Sequence, residues 1–553
     1  MMGAKGMLRA GTAVAGVLML TACALSPSPY SQDEFAAKAA AGRREIVAAV
    51  PPLTHPLTLA EAIARADKFN LDSRVKLMEQ AQALDQLDVS KYDLLPKLTA
   101  DAGYTGRSTP SAAVSRDLYT QGNALANPSY STDRDDVTGD LTMTWNVLDF
   151  GVSYFAAHQQ ADRALIAGER RRKTLDTLVQ DVRSAWWRAA AAQKLKGSVD
   201  STLSLAERAL ADARKAEQAN IRNPIEILRY QRSMVESIRQ LESIEEELAT
   251  AKTELSVLIG LPPGTPFEIA VPSDAELVPP QWTMPISRME ELAVRDNPDL
   301  HEADYSERIS VDDTRKAILR MLPGISFSLS RQYDSNSFLV YNRWNEVGAR
   351  LAWNLLNVFS GPAEIQAAEA GETVAHDRAL AMQMAVLAQV HIARRQFEIS
   401  VQQFKRASEI HAIDVRIARY SELREQNDAQ GQLDRVSNDT TLIVGLMRRY
   451  QTLAQVHAAL GRMEAAIGAA EVPTEVTDYK LDTLTRAVQA RLDRSEGGTM
   501  APVAAAPPAA EQVADATPSP EDAFAVHMLL HEGEMATSDP LSTFLLVRGQ
   551  AVQ

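Results

Sequence analysis

The chain has 553 residues, 45% of them hydrophobic and 23% charged, with a formal net charge of −15. Such a length holds more than one domain-sized unit, and the acidic balance argues against nucleic acid as the main partner, which favours a basic patch. No apolar run approaches the ~20 residues of a membrane-spanning helix, so any membrane crossing must use strands.

Met1 to Ala22 reads as a signal peptide. Lys5 and Arg9 supply the positive start, and Ala10 to Leu20 is apolar but too short to span a bilayer. Leu20-Thr21-Ala22-Cys23 then matches the lipobox read by lipoprotein signal peptidase. Cys23, the single cysteine of the chain, is the expected lipid attachment site, its thiol carrying diacylglycerol and its freed amine an acyl chain. Several such chains hold a terminus firmly, at ~0.8 kcal/mol per buried CH₂. The bland alternative is an ordinary signal peptide followed by a chance cysteine. One cysteine allows no intrachain disulfide.

Two copies of one plan follow. The first runs Leu59-Ala60-Glu61-Ala62-Ile63, Asn70-Leu71-Asp72, Leu95-Pro96, then Trp145-Asn146-Val147-Leu148-Asp149-Phe150-Gly151. The second runs Met289-Glu290-Glu291-Leu292-Ala293, Asn297-Pro298-Asp299, Leu322-Pro323, then Trp353-Asn354-Leu355-Leu356-Asn357, with Gly361 after it. The Asn-to-Pro spacings are identical, and the first copy carries a longer segment, Arg107 to Asp136, between its strands.

Within each copy the period changes in the same order. Thr58 to about Tyr92 is helical in composition. After Pro96 the period is two: Leu98, Ala100, Ala102 and Tyr104 alternate with Thr99, Asp101, Gly103 and Thr105. The return strand sets Val137, Gly139, Leu141, Met143, Trp145 and Val147 against Thr138, Asp140, Thr142, Thr144 and Asn146. In the second copy Ile325, Phe327 and Leu329 alternate with serines, and Val347, Ala349, Leu351, Trp353 and Leu355 oppose Glu346, Gly348, Arg350 and Asn354. A half-buried soluble strand reads the same way. Lengths of roughly 9–11 residues and aromatic residues near the strand ends favour membrane strands.

Long helices come next. Ser153 to about Ala219 has no proline and predicts a rod of about 100 Å. Its narrow stripe is Leu175, Leu178, Val182, Ala185 and Ala189, then Val199, Leu203, Ala206, Leu210 and Ala213, the steps of a coiled-coil seam. A turn at Asn220 to Pro224 leads to a returning helix bearing Leu241, Ile244, Leu248, Ala251, Leu255 and Leu258, stopped by Gly260-Leu261-Pro262-Pro263. The second copy repeats the stripe with Val436, Thr440, Ile443, Met447, Tyr450 and Ala454. A solid antiparallel bundle would carry such stripes too. Bacterial membrane barrels start at about eight strands, and an open edge in lipid is costly, so the four strands of one chain cannot close a barrel.

These segments, with Asn297 to Leu300, Leu322 to Ser326, and Asn220 to Leu228 (NIRNPIEIL), resemble the TolC family of outer-membrane efflux proteins, particularly its lipoprotein members, over roughly residues 55–470. The resemblance implies an α+β membrane protein. It would be a homotrimer whose four strands per chain complete a shared twelve-stranded barrel, continued by a periplasmic tunnel of long helices. It also implies an outer-membrane location, to which Ala24 after the cysteine adds an analogy with enterobacterial lipoprotein sorting. The implied function is an exit duct of a tripartite efflux or type I secretion system, with a periplasmic adaptor, an inner-membrane pump and outer-membrane lipid as partners. It implies no enzyme, no nucleic acid, no metal and no cofactor beyond the lipid on Cys23.

The expected organisation is a lipoprotein signal peptide at 1–22, a lipidated segment at 23–56, a first repeat at 57–270 and a linker at 271–285. A second repeat at 286–470, a C-terminal equatorial segment at 471–496 and an Ala/Pro-rich tail, expected to be disordered, at 497–553 complete it. In the family the helix turns form the periplasmic gate and pump contact. That places Asn220, Arg222, Asn223, Pro224, Arg424, Asn427 and Asp428 there by resemblance. Two departures stand out: Asn220 occupies the usual glycine position, and the second turn, Tyr420 to Gln432, is unusually polar and lacks its glycine. Asp428 and Asp434 fit an acidic constriction less well than a solvated surface. His527 and His531 share a helical spacing, but no third ligand is near, so an incidental pair is preferred to a metal site. The rival reading from another class is a lipid-anchored periplasmic coiled-coil spacer, which has no use for alternating strands with girdle aromatics. No nucleophile elbow, metal cluster or phosphate loop supports an enzyme.

Overall fold

The computed structural model describes residues 29–114, 119, 128–219, 224–273, 277–425, 431–469 and 479–496. It is mostly helical with a small antiparallel sheet. Helix α1 (Gln32–Ala49) opens on a capping box in which the Ser31 hydroxyl accepts from the Glu34 amide and Glu34 accepts from the Ser31 amide. The sequence reading missed this helix. The helical stretch read from Thr58 to Tyr92 is two helices, α2 (Leu59–Phe69) and α3 (Leu71–Tyr92). Asn70 is extended (φ −64°, ψ 130°) and caps the second one, so one polar side chain interrupts an otherwise continuous pattern.

Strand β1 (Lys97–Gly106) is followed by a two-residue hairpin, β2 (Ala112–Ala113) and β3 (Ser129–Tyr130), and by β4 (Asp135–Asn146). Helix α4 (Val147–Gln218) follows without a loop, because the Asn146 side chain accepts from the Leu148 and Asp149 amides. Val147 is therefore helical, a correction to the strand reading. The chain returns as α5 (Pro224–Leu258), with proline at the first helical position where its missing N–H costs nothing. Then come α6 (Ile286–Asp296), α7 (Pro298–Arg320), β5 (Gly324–Asp334), β6 (Arg343–Ala352), α8 (Asn357–Glu425), α9 (Gly431–Ala466) and α10 (Leu481–Glu496). Strand β6 ends at Ala352, so Trp353 and Leu355 lie beyond it; Trp353 Nε1 donates to the Met321 carbonyl at 3.0 Å.

The four long strands form one antiparallel sheet in the order β1-β4-β5-β6. The long helices pack side by side in the order α5, α4, α9, α8, while nearer the sheet α3 and α7 take the places of α5 and α9 beside α4 and α8. The core lies in a belt between sheet and hairpins. It is built from Leu57, Ile63, Trp186, Leu195, Leu255, Met289, Leu460 and Met463, all nearly inaccessible. Leu57 enters it through a parallel bridge to Ile269, and its carbonyl also accepts from Trp186 Nε1 at 3.1 Å. Farther along the hairpins Ala206, Leu210, Met234 and Val436 form a second cluster. Among the described residues no helix is long and apolar enough to cross a membrane.

Candidate functional site: a two-faced sheet and a curved helical wall

The register fixes which side chains share a face. Leu98 lies opposite Met143, Ala100 opposite Leu141, and Tyr104 opposite Val137. Met143 lies opposite Leu329 and Trp145 opposite Phe327, and across the next pair Leu329 meets Val347 and Ile325 meets Leu351. Apart from Val147, which is helical, every apolar strand residue named from the sequence between 98 and 351 falls on this face. The other face carries the rows Thr99–Thr142–Ser330–Glu346 and Asp101–Asp140–Gln332–Trp344. The apolar face is uncovered among the described residues: Leu98, Phe327, Leu329 and Val347 are exposed, the last at 81%. The edge strands β1 and β6 each have one neighbour in the sheet. Aromatic rings mark the two ends of the apolar face. Trp145 packs edge-to-face on Phe150 (6.0 Å) near the helices, and the Tyr104 hydroxyl donates to Asp135 at 2.8 Å at the opposite rim.

The wall is uncovered at its margins in the same way. Helix α8 exposes Leu380, Met384, Ile392, Ile410 and Ile413, and at the other margin α3 exposes Val75, Met78 and Val89. Within the wall the predicted seams are buried: Leu178, Val182, Ala185 and Ala189 on α4, Leu241, Ile244, Ala251 and Leu255 on α5, and Val436, Thr440, Ile443 and Tyr450 on α9.

Two joints set the helices on the belt by the same chemistry. Asn70 Oδ1 accepts from the Asp72 and Ser73 amides while its Nδ2 donates to the Leu258 carbonyl at 3.1 Å. Asn297 Oδ1 accepts from Asp299 and Leu300, and its Nδ2 donates to the Ala466 carbonyl at 3.1 Å. Each Asn thus ties the start of one helix to the end of a hairpin. Each hairpin ends in a left-handed glycine, Gly260 (φ +77°) and Gly468 (φ +70°), as helix termini favour. A Cβ would meet the Phe69 carbonyl at 2.9 Å in the first and would overlap the Asp296 carbonyl in the second, so glycine is required twice over.

Charge is concentrated on α4 where it meets α7 and α9. Asp162, 1% exposed, accepts from Arg308 Nε at 3.0 and 2.9 Å, and Asp312, fully buried, accepts from Arg315 at 2.9 Å and lies 2.6 Å from His158 Nδ1. Ligand atoms of His158, Asp162 and Asp312 come within 4.8 Å of one another. Both carboxylates already serve guanidinium groups, so the donor set reads as an ion-pair seam. Nearby, both ring nitrogens of His301 face acceptors, Glu169 at 3.2 Å and the Arg295 carbonyl at 2.7 Å. The Glu169 hydrogen bond raises its pKa above the ordinary histidine value. At the α4–α9 contact Arg183 and Glu464 form a buried pair at 3.4 Å. His457 stacks on Trp187 there (5.0 Å), and burial, with Arg183 nearby, holds its pKa down to about 3, so it is neutral.

The residues assigned by resemblance to the helix turns fall mostly outside this geometry. Asn220, Arg222, Asn223, Asn427 and Asp428 lie outside the described residues, as do Cys23, His527 and His531. Pro224 opens α5 and Arg424 lies in the last turn of α8. Close to those turns Gln231 Nε2 donates to Glu217 at 2.7 Å between α4 and α5, and Asn438 donates to the Ser421 hydroxyl between α8 and α9. The sequence reading also missed two cations on the apolar face, Arg331 and Arg343. A wholly apolar template passes over an arginine inside an alternating run.

No known family model and no curated protein matches the sequence. Solved structures do. The chain is similar to CusC, described as forming a transmembrane channel, with a TM-score of 0.57, 16% identity and 74% of this chain covering 92% of that one. It is similar to the CmeC outer membrane channel of Campylobacter jejuni (TM-score 0.57, 12% identity, 80% of this chain and 90% of that one). A third likeness is to the outer membrane protein VceC of Vibrio cholerae (0.55, 12%, 74% and 96%). The two-faced sheet and the wall of long helices give this chain the fold of the outer-membrane channels, the fold implied by its resemblance to the TolC family.

Proposed function

We propose that the protein is an outer-membrane exit duct of a tripartite efflux or type I secretion system, passing cargo delivered by a periplasmic adaptor and an inner-membrane pump. The observation that carries this reading is an apolar sheet face left exposed among the described residues, on a sheet whose edge strands each have one neighbour. An open edge in lipid leaves backbone groups unpaired at several kcal/mol each. The edges must therefore meet those of other copies, with the apolar face towards lipid and the Thr, Ser, Asp and Glu face towards water. The uncovered margins of the helical wall are two different surfaces, α8 on one side and α3 on the other. Contact between unlike surfaces is heterologous and builds a ring when the rotation between copies closes, as the paired edges of a barrel require. Three copies supply twelve strands, a size that bacterial barrels adopt.

Cys23 is the lipid anchor in this reading. The turns holding Asn220, Arg222, Asn223, Pro224, Arg424, Asn427 and Asp428 form the closed periplasmic end and the pump contact. The fold similarity to channels described as outer-membrane proteins supports the location and the absence of a chemical step. The test is detergent-purified full-length protein. Its mass should be that of a trimer, and liposome reconstitution should give a small, mostly closed conductance. Alanine at Arg222, Asn223, Arg424 and Asp428 together should raise that conductance without lowering the trimer yield. A monodisperse monomer with no conductance would overturn the reading.

A further inference from the structure

The apolar sheet face carries two cations where a lipid-facing surface should carry none. Arg331 lies opposite Leu141 on one side and Asn345 on the other, and Arg343 lies opposite Tyr333 in the adjoining row. The two guanidinium groups are diagonal neighbours on one face. Both residues are exposed. The contacts shown for them are with neutral groups: Arg331 Nη1 donates to Asn345 Oδ1 at 3.0 Å, and Arg343 sits over the Tyr333 ring, 5.5 Å from its centre. Other arginines beside aromatic rings differ. Arg308 near Tyr305 and Arg315 near Phe155 each hold a buried aspartate.

No carboxylate on β5 or β6 shares that face, where the remaining positions are Ile325, Phe327, Leu329, Val347, Ala349 and Leu351. A neighbouring copy offers none either. Its facing edge, β1, presents Leu98, Ala100, Ala102, Tyr104 and Gly106 on this side. Asp135 on the adjoining strand β4 shares the face, but it lies beyond the residues paired with β5 and accepts from the Tyr104 hydroxyl. A charge on a lipid-facing barrel surface is expensive unless it lies near an interface or finds a partner.

Position supplies the rest. From Ile325 to Tyr333 the strand advances about 26 Å, most of an apolar band ~25 Å tall at the tilt of a barrel strand. Arg331 and Arg343 therefore flank the aromatic ring at the far rim, at headgroup depth, where aromatic belts sit. The guanidinium fork matches phosphate oxygens in a bidentate way, and two forks side by side can share one phosphate. Asn345 and Tyr333 hold both forks in place.

We propose that Arg331 and Arg343 bind the phosphate of a membrane lipid's headgroup at the outer rim of the sheet. This rests on the reading of the apolar face as lipid-facing. The test is native mass spectrometry on the detergent-solubilised full-length protein, titrated with phosphatidic acid and with diacylglycerol of the same tails. The parent should bind the phosphorylated lipid about tenfold or more tightly than diacylglycerol. R331Q/R343Q should erase that difference, R331K/R343K should keep part of it, and R350Q, on the opposite face, should leave it intact. Inorganic phosphate at equal concentration should not displace the lipid. Val347→Cys in liposomes, challenged with a membrane-confined thiol reagent, separates the two ideas. If it reacts while R331Q/R343Q binds phosphatidic acid like the parent, this proposal fails alone. If it does not react, the lipid-facing reading fails and takes the proposal with it. Displacement by inorganic phosphate would show an anion site with no lipid component and would also overturn it.

Discussion

The belt and the sheet of this protein are held by opposite means. The belt buries its own large side chains, Ile63, Trp186, Leu255, Met289 and Leu460 among them, and its charged residues are paired inside the chain. The sheet buries little: all ten residues of β1 are exposed, and most of its apolar face is exposed among the described residues. An apolar sheet face that stays in water contributes no burial to its stability. The belt is thus stabilised from within, and the sheet depends on what surrounds it. Mutations should separate the two, because belt damage unfolds the chain and sheet damage affects its placement.

The largest expected effect is in the belt. Arg183→Met takes the Arg183 guanidinium away from the buried Glu464 carboxylate, and losing one partner of a buried pair costs ~3–5 kcal/mol. The denaturant midpoint of the solubilised protein should fall sharply, and R183M with E464Q should recover much of the loss. An unchanged midpoint for R183M would mean the pair is not buried in solution. On the sheet, Leu141→Arg puts a charge in the apolar face at ~2–4 kcal/mol if that face meets lipid. Membrane insertion should drop while helicity persists, and Thr142→Arg on the opposite face should be mild. Equal damage from both would break the contrast between the faces.

Smaller effects belong to the joints. Gly468→Ala requires a left-handed alanine against the Asp296 backbone and should cost about 1–3 kcal/mol. Asn297→Ala removes a cap worth ~1 kcal/mol together with the tie to Ala466. Both should lower the midpoint, the glycine change more. The smallest effect is a pH dependence. His301 holds its proton more tightly folded than unfolded, chiefly through the Glu169 hydrogen bond. Its stabilisation is complete below its ordinary value near 6.5 and is lost as pH rises through the raised folded value. Parent protein should therefore lose more thermal stability than His301→Gln between about pH 6 and about pH 9. The same loss in both would remove His301 as its source.

The strand alternation and the helical stripes were legible because both are local periodicities imposed by backbone geometry. Leu98 to Tyr104, Val137 to Trp145 and Leu178 to Ala189 lie where their spacing predicted. The boundaries were less legible. Asn70 and Asn146 stop one element and start the next through a single side-chain oxygen, which leaves little trace in a periodic pattern. The two cations on the apolar face were hidden for the opposite reason: they interrupt the pattern that was being sought.

From the sequence alone came the order of the long strands and long helices, the residues sharing each face of the sheet and a resemblance that named the fold. Tertiary structure alone decided the rest. It paired β4 with β5 across two copies of the plan, aligned Arg331 with Asn345, joined Asn297 to Ala466, and brought Asp162 to Arg308 and Asp312 to His158. Periodicity is a property of neighbours a few residues apart, so one chain segment reveals it. Which distant segments meet depends on the shared burial of their surfaces, and that is settled only when all of them pack together.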